Sequence, residues 1–559
     1  MRARDATKSD GSRRFPRLLL VALWLGGSAC ALGYATRIVP PRLALPVPEE
    51  VRYDGATAYV GPAYLARRGK LWVMHVEGAP EQLGYRHARL ATPLMTEGDR
   101  RMLDLFATFV PSVAFRWALT GFVRLRYRNL DAAFPSTRRA EIFGEAAGYE
   151  DRFADFLPTY QRLVYLHGLY DIALAFERSP LLGCTAFAAS GPTTANGASP
   201  GHTIVGRNFD LEIDPWFDTD KVVQIVEPEA GLAFASVAWP GMTGVVTGIN
   251  AAGIWVSVNG GRASDTRSGG VPVVFTTRAV LEGARSLAEA LAIISRDEPM
   301  VSHILLLADG KTGESMIVER APGHELGIVR HPSAIVLANH FRTSPLRDDP
   351  KDARLRDITS SEARHTRMAE LVARHHGRID PAVAAAMLRD RFGPGDAAVP
   401  LGNRNAVDAL VATHSVVADL TARVLWVSEG PNTLGAYRKI DLAARLETGE
   451  SAADGETAGD LAADPILDDG TYERYRRGGR VRRAAERLAA EGELEAAAEL
   501  YRRALRVRGD DHVSWRGLAL VEENRGNPET ARTAWARVLE LAPDTPEVRR
   551  EAEAHVRGH

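Results

Sequence analysis

The pair Gly183-Cys184 constrains this chain more than any other feature, because Cys184 is one of only two cysteines in 559 residues. The other, Cys30, lies in an apolar stretch near the N-terminus that has the character of a targeting segment. Once that segment is set aside, Cys184 has no partner for an intramolecular disulfide. A single thiol in an oxidising compartment indicates that its sulfur is used for chemistry.

The N-terminal residues 1–34 are predicted to be a signal peptide or a membrane anchor. An apolar run from Leu18 to Tyr34 follows a basic stretch, and Ala29-Cys30-Ala31 offers an A-x-A-like cleavage site. The run is close to the shortest length that spans a hydrocarbon core of about 30 Å. The sequence therefore predicts export, to the periplasm or the cell exterior or as an anchored protein, and leaves open whether the segment is cleaved.

Composition places the rest of the chain among soluble globular proteins of more than one domain, with 45% hydrophobic and 25% charged residues. A formal net charge of -2, without a basic patch, argues against binding to nucleic acid. The histidines lack metal-ligand spacing with Cys, Asp or Glu, so no metal is assigned, and no cofactor is predicted.

Patterning divides the chain into successive regions. Residues 35–60 are predicted to be a proline-rich linker, and residues 61–183 a mostly helical portion. Residues 184–446 alternate strand patterns with helix pairs, which is typical of a layered α+β domain. The predicted strands are 203–207, 222–226, 234–239, 245–249, 254–258, 304–308, 315–319 and 334–338. Residues 447–469, rich in acidic residues and without Lys or Arg, are predicted to be a flexible linker.

The C-terminal region, residues 470–559, is strongly helical and repeats itself. Five residue pairs match at an offset of 34 residues: Gly492 and Gly526, Ala497 and Ala531, Tyr501 and Trp535, Leu505 and Leu539, Asp510 and Asp544. This is the tetratricopeptide period, with small residues where two helices approach closely. The alternative is an unrelated pair of helical hairpins.

The chemistry of Cys184 requires a base, because only a thiolate attacks an acyl carbon and a free thiol has a pKa of about 8.5. If Cys184 becomes the first residue of its chain, its own α-amine can take the proton. Exposing that amine requires cleavage of the Gly183–Cys184 peptide bond. Gly183 suits the cleavage, since a residue without Cβ tolerates the strained turn from which the sulfur would attack.

Further motifs occur in a fixed order around this pair. They are Gly78, Glu81, Gly84 and His87, then Gly183-Cys184-Thr185, Gly206-Arg207-Asn208-Phe209-Asp210, Gly248-Ile249-Asn250 with Gly253-Ile254, Val258-Asn259-Gly260, Ala338-Asn339-His340-Phe341, and Ser360-Ser361 with Arg364. Over roughly residues 65–445 the chain resembles the choloylglycine hydrolase, acid ceramidase and isopenicillin N acyltransferase superfamily of N-terminal-nucleophile (Ntn) hydrolases, closest to its autoproteolytic acyltransferase branch. The resemblance implies a four-layer αββα sandwich, here with an N-terminal helical segment and a C-terminal all-α repeat tail.

The resemblance assigns roles near the nucleophile. It implies self-cleavage between Gly183 and Cys184, with Asp210 orienting the freed amine and Arg207 steadying the sulfur. Residues three apart point to opposite faces of a regular strand, so we expect the chain to turn near Asn208. The alternatives are an inert buried Cys184 and a plain surface ion pair between Arg207 and Asp210.

The resemblance also supplies groups for the acyl end. Asn259 is implied as an oxyanion donor, Asn339 as a holder of the α-amine or acyl group, and Arg364 as support for the carboxylate or the substrate. The alternatives are a turn residue for Asn259 and a strand cap for Asn339. Arg367, one helical turn beyond Arg364, could replace it.

The sequence as a whole predicts a self-processing cysteine Ntn hydrolase or acyltransferase. It would act on a linear amide or thioester bond through an S-acyl intermediate on Cys184, with a small acyl amide or lipid-like substrate. A protein partner through residues 470–559 and membrane association through residues 18–34 are also expected. The alternatives are a membrane-tethered interaction protein with a structural Ntn domain and a phospholipase B-like ester hydrolase.

Overall fold

A computed structural model describes residues 33–175, 182–211, 214–448 and 458–558. Its largest element is an eleven-stranded sheet, antiparallel except where β4 runs parallel to β7. In spatial order its strands are β1 (Arg52–Asp54), β2 (Thr57–Val60), β3 (Ala63–Arg68), β4 (Leu71–Gly78), β7 (Val222–Pro228), β8 (Phe234–Ala238), β9 (Thr247–Asn250), β10 (Ile254–Gly260), β11 (His303–Asp309), β12 (Ser315–Arg320) and β13 (Gly327–His331).

A second, six-stranded sheet is antiparallel throughout. In spatial order its strands are β14 (Ala334–Leu337), β5 (Leu182–Ala189), β6 (Ile204–Leu211), β17 (Ala412–Asp419), β18 (Val424–Ser428) and β19 (Tyr437–Asp441). Two short strands, β15 (Phe392–Gly393) and β16 (Ala397–Ala398), pair separately. Every strand predicted from the sequence between residues 203 and 338 overlaps one of these strands.

The helices fall into groups before, between and after the strands. Those of the α/β part are α1 (Pro80–Phe109), α2 (Val113–Arg126), α3 (Ser136–Gly148), α4 (Thr159–His167), α5 (Leu169–Ala175), α6 (Trp216–Thr219), α7 (Val273–Gly283), α8 (Leu287–Arg296), α9 (Pro350–Ile358), α10 (Ser361–Arg374), α11 (Pro381–Leu388) and α12 (Leu442–Thr448). The C-terminal helices are α13 (Thr471–Ala490), α14 (Leu494–Val507), α15 (His512–Asn524), α16 (Pro528–Glu540) and α17 (Pro546–Arg557).

In the α/β part, buried apolar side chains form three groups that follow from the alternation of strand residues between two faces. One group joins the large sheet to helices α1, α3, α4, α7 and α8. A second lies between the sheets, where Val205 of β6 packs in the same cluster as Ile225 of β7 and Trp255 of β10. A third joins the small sheet to α10 and α11. The protein is thus a mixed α/β molecule with two sheets and helices packed on both.

The N-terminal region differs from the prediction of a linker over 35–60 followed by helices over 61–183. Strands β1 to β4 occupy residues 52–78 and extend the large sheet. Strand β4 buries Val73, Met74 and Val76 and gains its stability by pairing with β7, which lies far away in sequence. Proline content and helical periodicity are local signals, so they missed a strand that is fixed by a distant partner.

The acidic segment also differs in part from its prediction as a flexible linker over 447–469. Residues 449–457 lie outside the described residues, but residues 458–464 pack on the α/β part. Leu461 forms a backbone bridge with Tyr437, and Asp460 forms ion pairs with Arg68 and Arg438. The carboxylates here are partners for nearby arginines, so this part of the segment is an ordered connection.

The C-terminal helices lie where helical patterning placed them. Tyr501 and Trp535, a matched pair in the repeat, are both buried, and so are Ala497 and Ala531. Gly517 lies against the Tyr501 ring, where an added Cβ would come within 2.3 Å of a ring carbon. Small residues therefore occur where these helices approach each other closely.

Most of the predicted signal segment, residues 1–32, lies outside the described residues. Within the described part of the chain, no single helix is long and apolar enough to span a bilayer. The segments Pro80–Phe109 and Val113–Ala133 meet that test only together, as a pair bent by 115°.

Candidate active site

Cys184 lies on β5, one of the inner strands of the small sheet, directly opposite Phe209 of β6. Its side chain is fully buried and forms no disulfide. Gly183 lies opposite Asp210 within the same regular strand pair, so the predicted strained turn at Gly183 is absent. The absence of a Cβ at Gly183 lets the side chains of Asp210 and Arg364 approach its backbone closely. An added Cβ would lie 3.3 Å from Asp210 Oδ2 and 3.6 Å from Arg364 Nη2.

Arg207 lies on the face of β6 that is directed at the large sheet. Its Nη2 is 3.8 Å from Cys184 Sγ. The guanidinium also donates to the carbonyls of Val246 and Val258 and to the hydroxyl of Thr247. These bonds fix a fully buried cation beside the thiol. The alternative of a surface ion pair is therefore wrong for Arg207.

Asp210 lies on the opposite face of the same strand, and the predicted turn near Asn208 does not occur. Strand β6 is paired continuously with β5 and, on its other side, with β17. The irregularity lies instead in β17, between Ala412 and His414. Because β6 is held on both sides, it stays regular, and the Asp210 carboxylate lies beside Gly183.

Asn339 and Arg364 hold the backbone of Cys184. The Cys184 N–H donates to Asn339 Oδ1 at 2.8 Å, and Arg364 Nη2 donates to the same oxygen at 2.9 Å. Arg364 Nη1 also donates to the Cys184 carbonyl and, at 2.9 Å, to Thr185 Oγ1. The alternative residue, Arg367, is engaged elsewhere, with Asp390 and Asp396. Arg364, and not Arg367, therefore contacts Cys184.

Asn259 lies at the end of β10 and is fully buried, so it is not the turn residue of the alternative interpretation. Its Nδ2 donates to the carbonyl of Ala338 at 2.8 Å. The residues on either side of Asn259 are hydrogen-bonded to other residues of the site. The Val258 carbonyl accepts from Arg207, and the Gly260 carbonyl accepts from Asn339 Nδ2 at 3.0 Å. Asn259 Oδ1 has no hydrogen-bond partner among the described residues.

One family model and one relative match part of the chain. Residues 197–432 match the family model "Acyl-coenzyme A:6-aminopenicillanic acid acyl-transferase". The match begins after Cys184 and includes the other five predicted site residues. An uncharacterized protein of Archaeoglobus fulgidus is 25% identical over 273 residues, which cover 45% of this chain. The chain spans 43% of the length of that relative.

Three solved structures are similar to part of the chain. A Caenorhabditis elegans N-acylethanolamine-hydrolyzing acid amidase ortholog is 18% identical, with a TM-score of 0.31, covering 43% of this chain and 93% of its own. A mutant of the conjugated bile acid hydrolase from Clostridium perfringens is 11% identical, with a TM-score of 0.28, covering 50% and 97%. A second variant of that hydrolase is 13% identical, with a TM-score of 0.28, covering 49% and 100%. TM-scores this low do not establish a common fold, and the family match is the finding that supports the Ntn hydrolase superfamily.

Burial dominates the electrostatics around Cys184. It raises the pKa of the Cys184 thiol, an effect that the charge of Arg207 opposes and that of Asp210 reinforces. Burial likewise raises the pKa of Asp210 to about 6, against the lowering effect of Arg364 and Arg404. In the uncleaved chain the thiol is therefore protonated at neutral pH, and the Asp210 carboxyl is mostly ionised.

Two aromatic residues at the site were missed by sequence reasoning. His414 of β17 stacks on Phe209 with ring centroids 5.0 Å apart, and its Nε2 lies 2.9 Å from Thr247 Oγ1. Burial holds its pKa well below the usual range, so this imidazole is neutral. Burial raises the pKa of Tyr170 of α5, and this side chain lies near enough to Cys184 and Arg207 to interact with both electrostatically. Alternation along the strand Ala412–Asp419 could have placed His414 on an inner face.

An apolar cavity of about 190 Å³ reaches the residues next to Cys184. Phe209, the residue opposite Cys184, and Tyr170 both line it. Most other lining side chains are apolar and come from α1, α4, α6 and the segment before β9; they include Met95, Met102, Leu163, Leu166, Trp216, Phe217, Trp239 and Met242. The site thus combines a buried thiol, fixed cations and carboxamides, and a space suited to an apolar group.

A possible cation-binding group lies elsewhere, on β4 and β7. Ligand atoms of His75, Glu77 and Glu227 lie within 4.8 Å of one another. The His75 imidazole Nε2 is 2.8 Å from Glu227 Oε1, so an ion pair accounts for the cluster. It contributes nothing to the Cys184 site.

Proposed function

We propose that the protein is a self-processing cysteine Ntn hydrolase or acyltransferase with an αββα sandwich. The observation that carries the proposal is the enclosure of Cys184: Arg207 lies beside its sulfur, and Asn339 accepts a hydrogen bond from its nitrogen. In an N-terminal nucleophile, the sulfur and the α-nitrogen are the two atoms that must be held in position. The order of the three packed groups of apolar residues supports the four layers.

Processing would begin with attack of the Cys184 sulfur on the carbonyl carbon of Gly183. The C–N bond between the residues breaks as the C–S bond forms, and the thiol proton passes to the nitrogen. One water molecule then hydrolyses the thioester, leaving a carboxylate on Gly183 and a free amine and thiol on Cys184. Asn339 Oδ1 already accepts from this nitrogen, so it can keep the released amine in place.

Turnover would use the same residue in its new form. The α-amine takes the thiol proton, Arg207 stabilises the thiolate, and the sulfur attacks the substrate acyl carbon. The C–N or C–S bond of the substrate then breaks, and the leaving amine or thiol takes the proton from the α-amine. One N–H of the Asn259 amide is taken by Ala338, which leaves a second N–H for the developing oxyanion. Water as acceptor gives hydrolysis of the S-acyl intermediate, and an amine gives acyl transfer.

The cavity indicates the class of acyl group. It is lined mostly by apolar side chains, and its volume of about 190 Å³ exceeds the roughly 150 Å³ of an apolar cavity that binds benzene. An aromatic or medium-length aliphatic acyl group of an amide or thioester fits these properties. The matched family, by its description, transfers an acyl group from coenzyme A, which supports the same class.

The test is hydrolysis of acyl p-nitroanilides of graded length by the purified protein. We expect turnover with phenylacetyl and medium-chain substrates, and a mass increase of one acyl group on the peptide that begins with Cys184. Cys184→Ala should show neither. Turnover that survives Cys184→Ala would contradict the proposal.

Location at a membrane is part of the proposal. Helix α2 has no buried residue, and Phe115, Trp117 and Phe122 are more than half exposed. Arg124 of this helix donates to the Gly33 carbonyl at 2.9 Å, which is where the predicted N-terminal export segment ends. The exposed aromatic residues of α2, with its arginines, therefore lie where an anchored chain would leave the bilayer, as in interfacial helices. The same exposed aromatic residues favour the alternative of lipid ester hydrolysis.

A fluorescent label tests this placement. We expect a label at Phe115→Cys, in a Cys30→Ser background, to respond to vesicles of phosphatidylcholine and phosphatidylglycerol. A label at Phe392→Cys, another exposed aromatic position, is the matched control. Equal responses at both positions would contradict an interfacial α2.

The C-terminal helices would be tetratricopeptide-like repeats that bind a protein partner. The 34-residue offset and the buried pair Tyr501 and Trp535 support this. An interaction protein with an inactive Ntn domain is the weaker alternative, because the six predicted site residues converge on one buried centre.

A further inference from the structure

The C-terminal helices hold one short segment of the α/β part, residues 401–405, which leads into β17. Asn403 Nδ2 donates to the Ala542 carbonyl at 2.7 Å, and the Arg404 backbone N–H donates to Asp544 Oδ1 at 2.7 Å. Asn405 Nδ2 donates to the Pro543 carbonyl at 3.2 Å. Three successive residues are thus each bonded to the turn between α16 and α17.

The other end of the segment is held by the first C-terminal helices. The Leu401 carbonyl accepts from Arg508 Nη2 at 2.8 Å. Gly402 has a φ of 81° and lies against Tyr475 of α13, where an added Cβ would come within 2.6 Å of a ring carbon. Both the backbone conformation and the close approach require glycine here.

The segment carries Arg404 and leads into β17, the strand that pairs with β6 of the active site. The charge of Arg404 acts on both the carboxylate of Asp210 and the guanidinium of Arg364. These two side chains flank Gly183, next to the bond that is proposed to be cleaved. Beyond the segment, Ala412 of β17 pairs directly with Asp210.

We propose that the C-terminal helices are part of the active-site framework, because they fix residues 401–405 and so place Arg404 as a positioning residue for Asp210. The inference rests on the proposed function and adds an element that regulates the same site. A partner that binds the C-terminal helices can then alter processing and turnover through this segment. The repeat tail is accordingly more than an independent docking module.

The pH dependence follows from the charges around Asp210. They are Arg364 of α10, Arg404 and Asp408 of the segment before β17, Arg207 on its own strand, and Cys184 of β5. The positive charge of Arg404 favours the ionised carboxylate, so its removal raises the pKa of Asp210. If turnover needs the ionised form, the acidic limb of the rate profile must move to higher pH.

The first arm of the test measures the rate of octanoyl-p-nitroanilide hydrolysis against pH for full-length variants. We expect Arg404→Gln to move the acidic limb upward by about one unit, and Arg404→Lys, which keeps the charge, to restore it. Asp544→Ala and Gly402→Ala should move it in the same direction. The control Arg354→Gln/Arg550→Gln removes ion pairs between α9 and α17 without touching residues 401–405, and should leave the limb in place.

The second arm does not depend on activity. We expect Asp544→Ala to increase amide hydrogen exchange in residues 401–411 and in the paired strand 204–211, and the ion-pair control to leave both unchanged. Unchanged exchange in the 204–211 peptide of Asp544→Ala would overturn the inference. So would an active wild-type protein whose acidic limb stays at the same pH in Arg404→Gln. A wild-type chain that is neither cleaved nor active would instead reject the proposed function, while the exchange measurement still decides the role of the tail.

Discussion

The two sides of Cys184 are built differently. On the sulfur side, Arg207 bonds mainly to backbone carbonyls and to Thr247, and an apolar cavity lies beyond it. On the backbone side, Asn339 and Arg364 bond directly to Cys184, and Asp210 stands next to Gly183. The sulfur side is therefore fixed by the two sheets, and the backbone side by side chains and their charges.

This difference separates two tasks. Groups fixed by sheet backbone cannot easily move, which suits an oxyanion site that must be preorganised. Side chains of opposite charge shift one another's pKa values, and these shifts depend on the distant contacts that position the side chains. Such groups are suited to controlling the protonation of an amine base. We therefore expect changes on the sulfur side to lower the rate at every pH, and changes on the backbone side to alter its pH dependence.

The largest effect is expected from Asn259→Ala on the sulfur side. Loss of one oxyanion donor should lower kcat by roughly 100- to 1,000-fold, about 2.7–4 kcal/mol, with little change in the shape of the pH profile. The measurement is kcat for an acyl p-nitroanilide across the pH range. A loss of less than tenfold would remove Asn259 from this role.

A smaller effect at neutral pH, with a change of shape, is expected on the backbone side. Burial raises the pKa of Asp210 to about 6, so the carboxylate is present above that pH and is lost as the pH falls through it. Wild-type turnover should decline below about pH 6, in line with that pKa. Asp210→Asn removes the negative charge beside the α-amine, which must be neutral to act as the base, so the acidic limb should move to lower pH. An acidic limb that persists unchanged in Asp210→Asn would break the comparison between the two sides.

The residues of the candidate site could be named from the sequence because they are marked by type and order. The sequence alone shows the single Cys184, the run from Arg207 to Asp210, and two asparagines, one before a glycine and one before a histidine. The structure brings these residues together. Arg364 could be separated from Arg367 only by the fold, since the two lie one helical turn apart and only the packing of α10 decides which one faces Cys184.

What sequence reasoning missed depends on contacts between distant residues. Strand β4 is fixed by β7, and the regular course of β6 through Asn208 is fixed by pairing on both sides. His414 and Tyr170 reach the site from a strand and a helix that carry no motif. The bond between Asp544 and Arg404 joins residues 140 positions apart, and no local pattern predicts it.

The most direct test of the account is the N-terminal sequence and mass of the chains in purified wild-type protein, separated under denaturing conditions. The account predicts a fragment that begins with Cys184 and ends at residue 559, and a single uncut chain for Cys184→Ala. A wild-type chain that stays intact across the Gly183–Cys184 bond while hydrolysing acyl amides would contradict it.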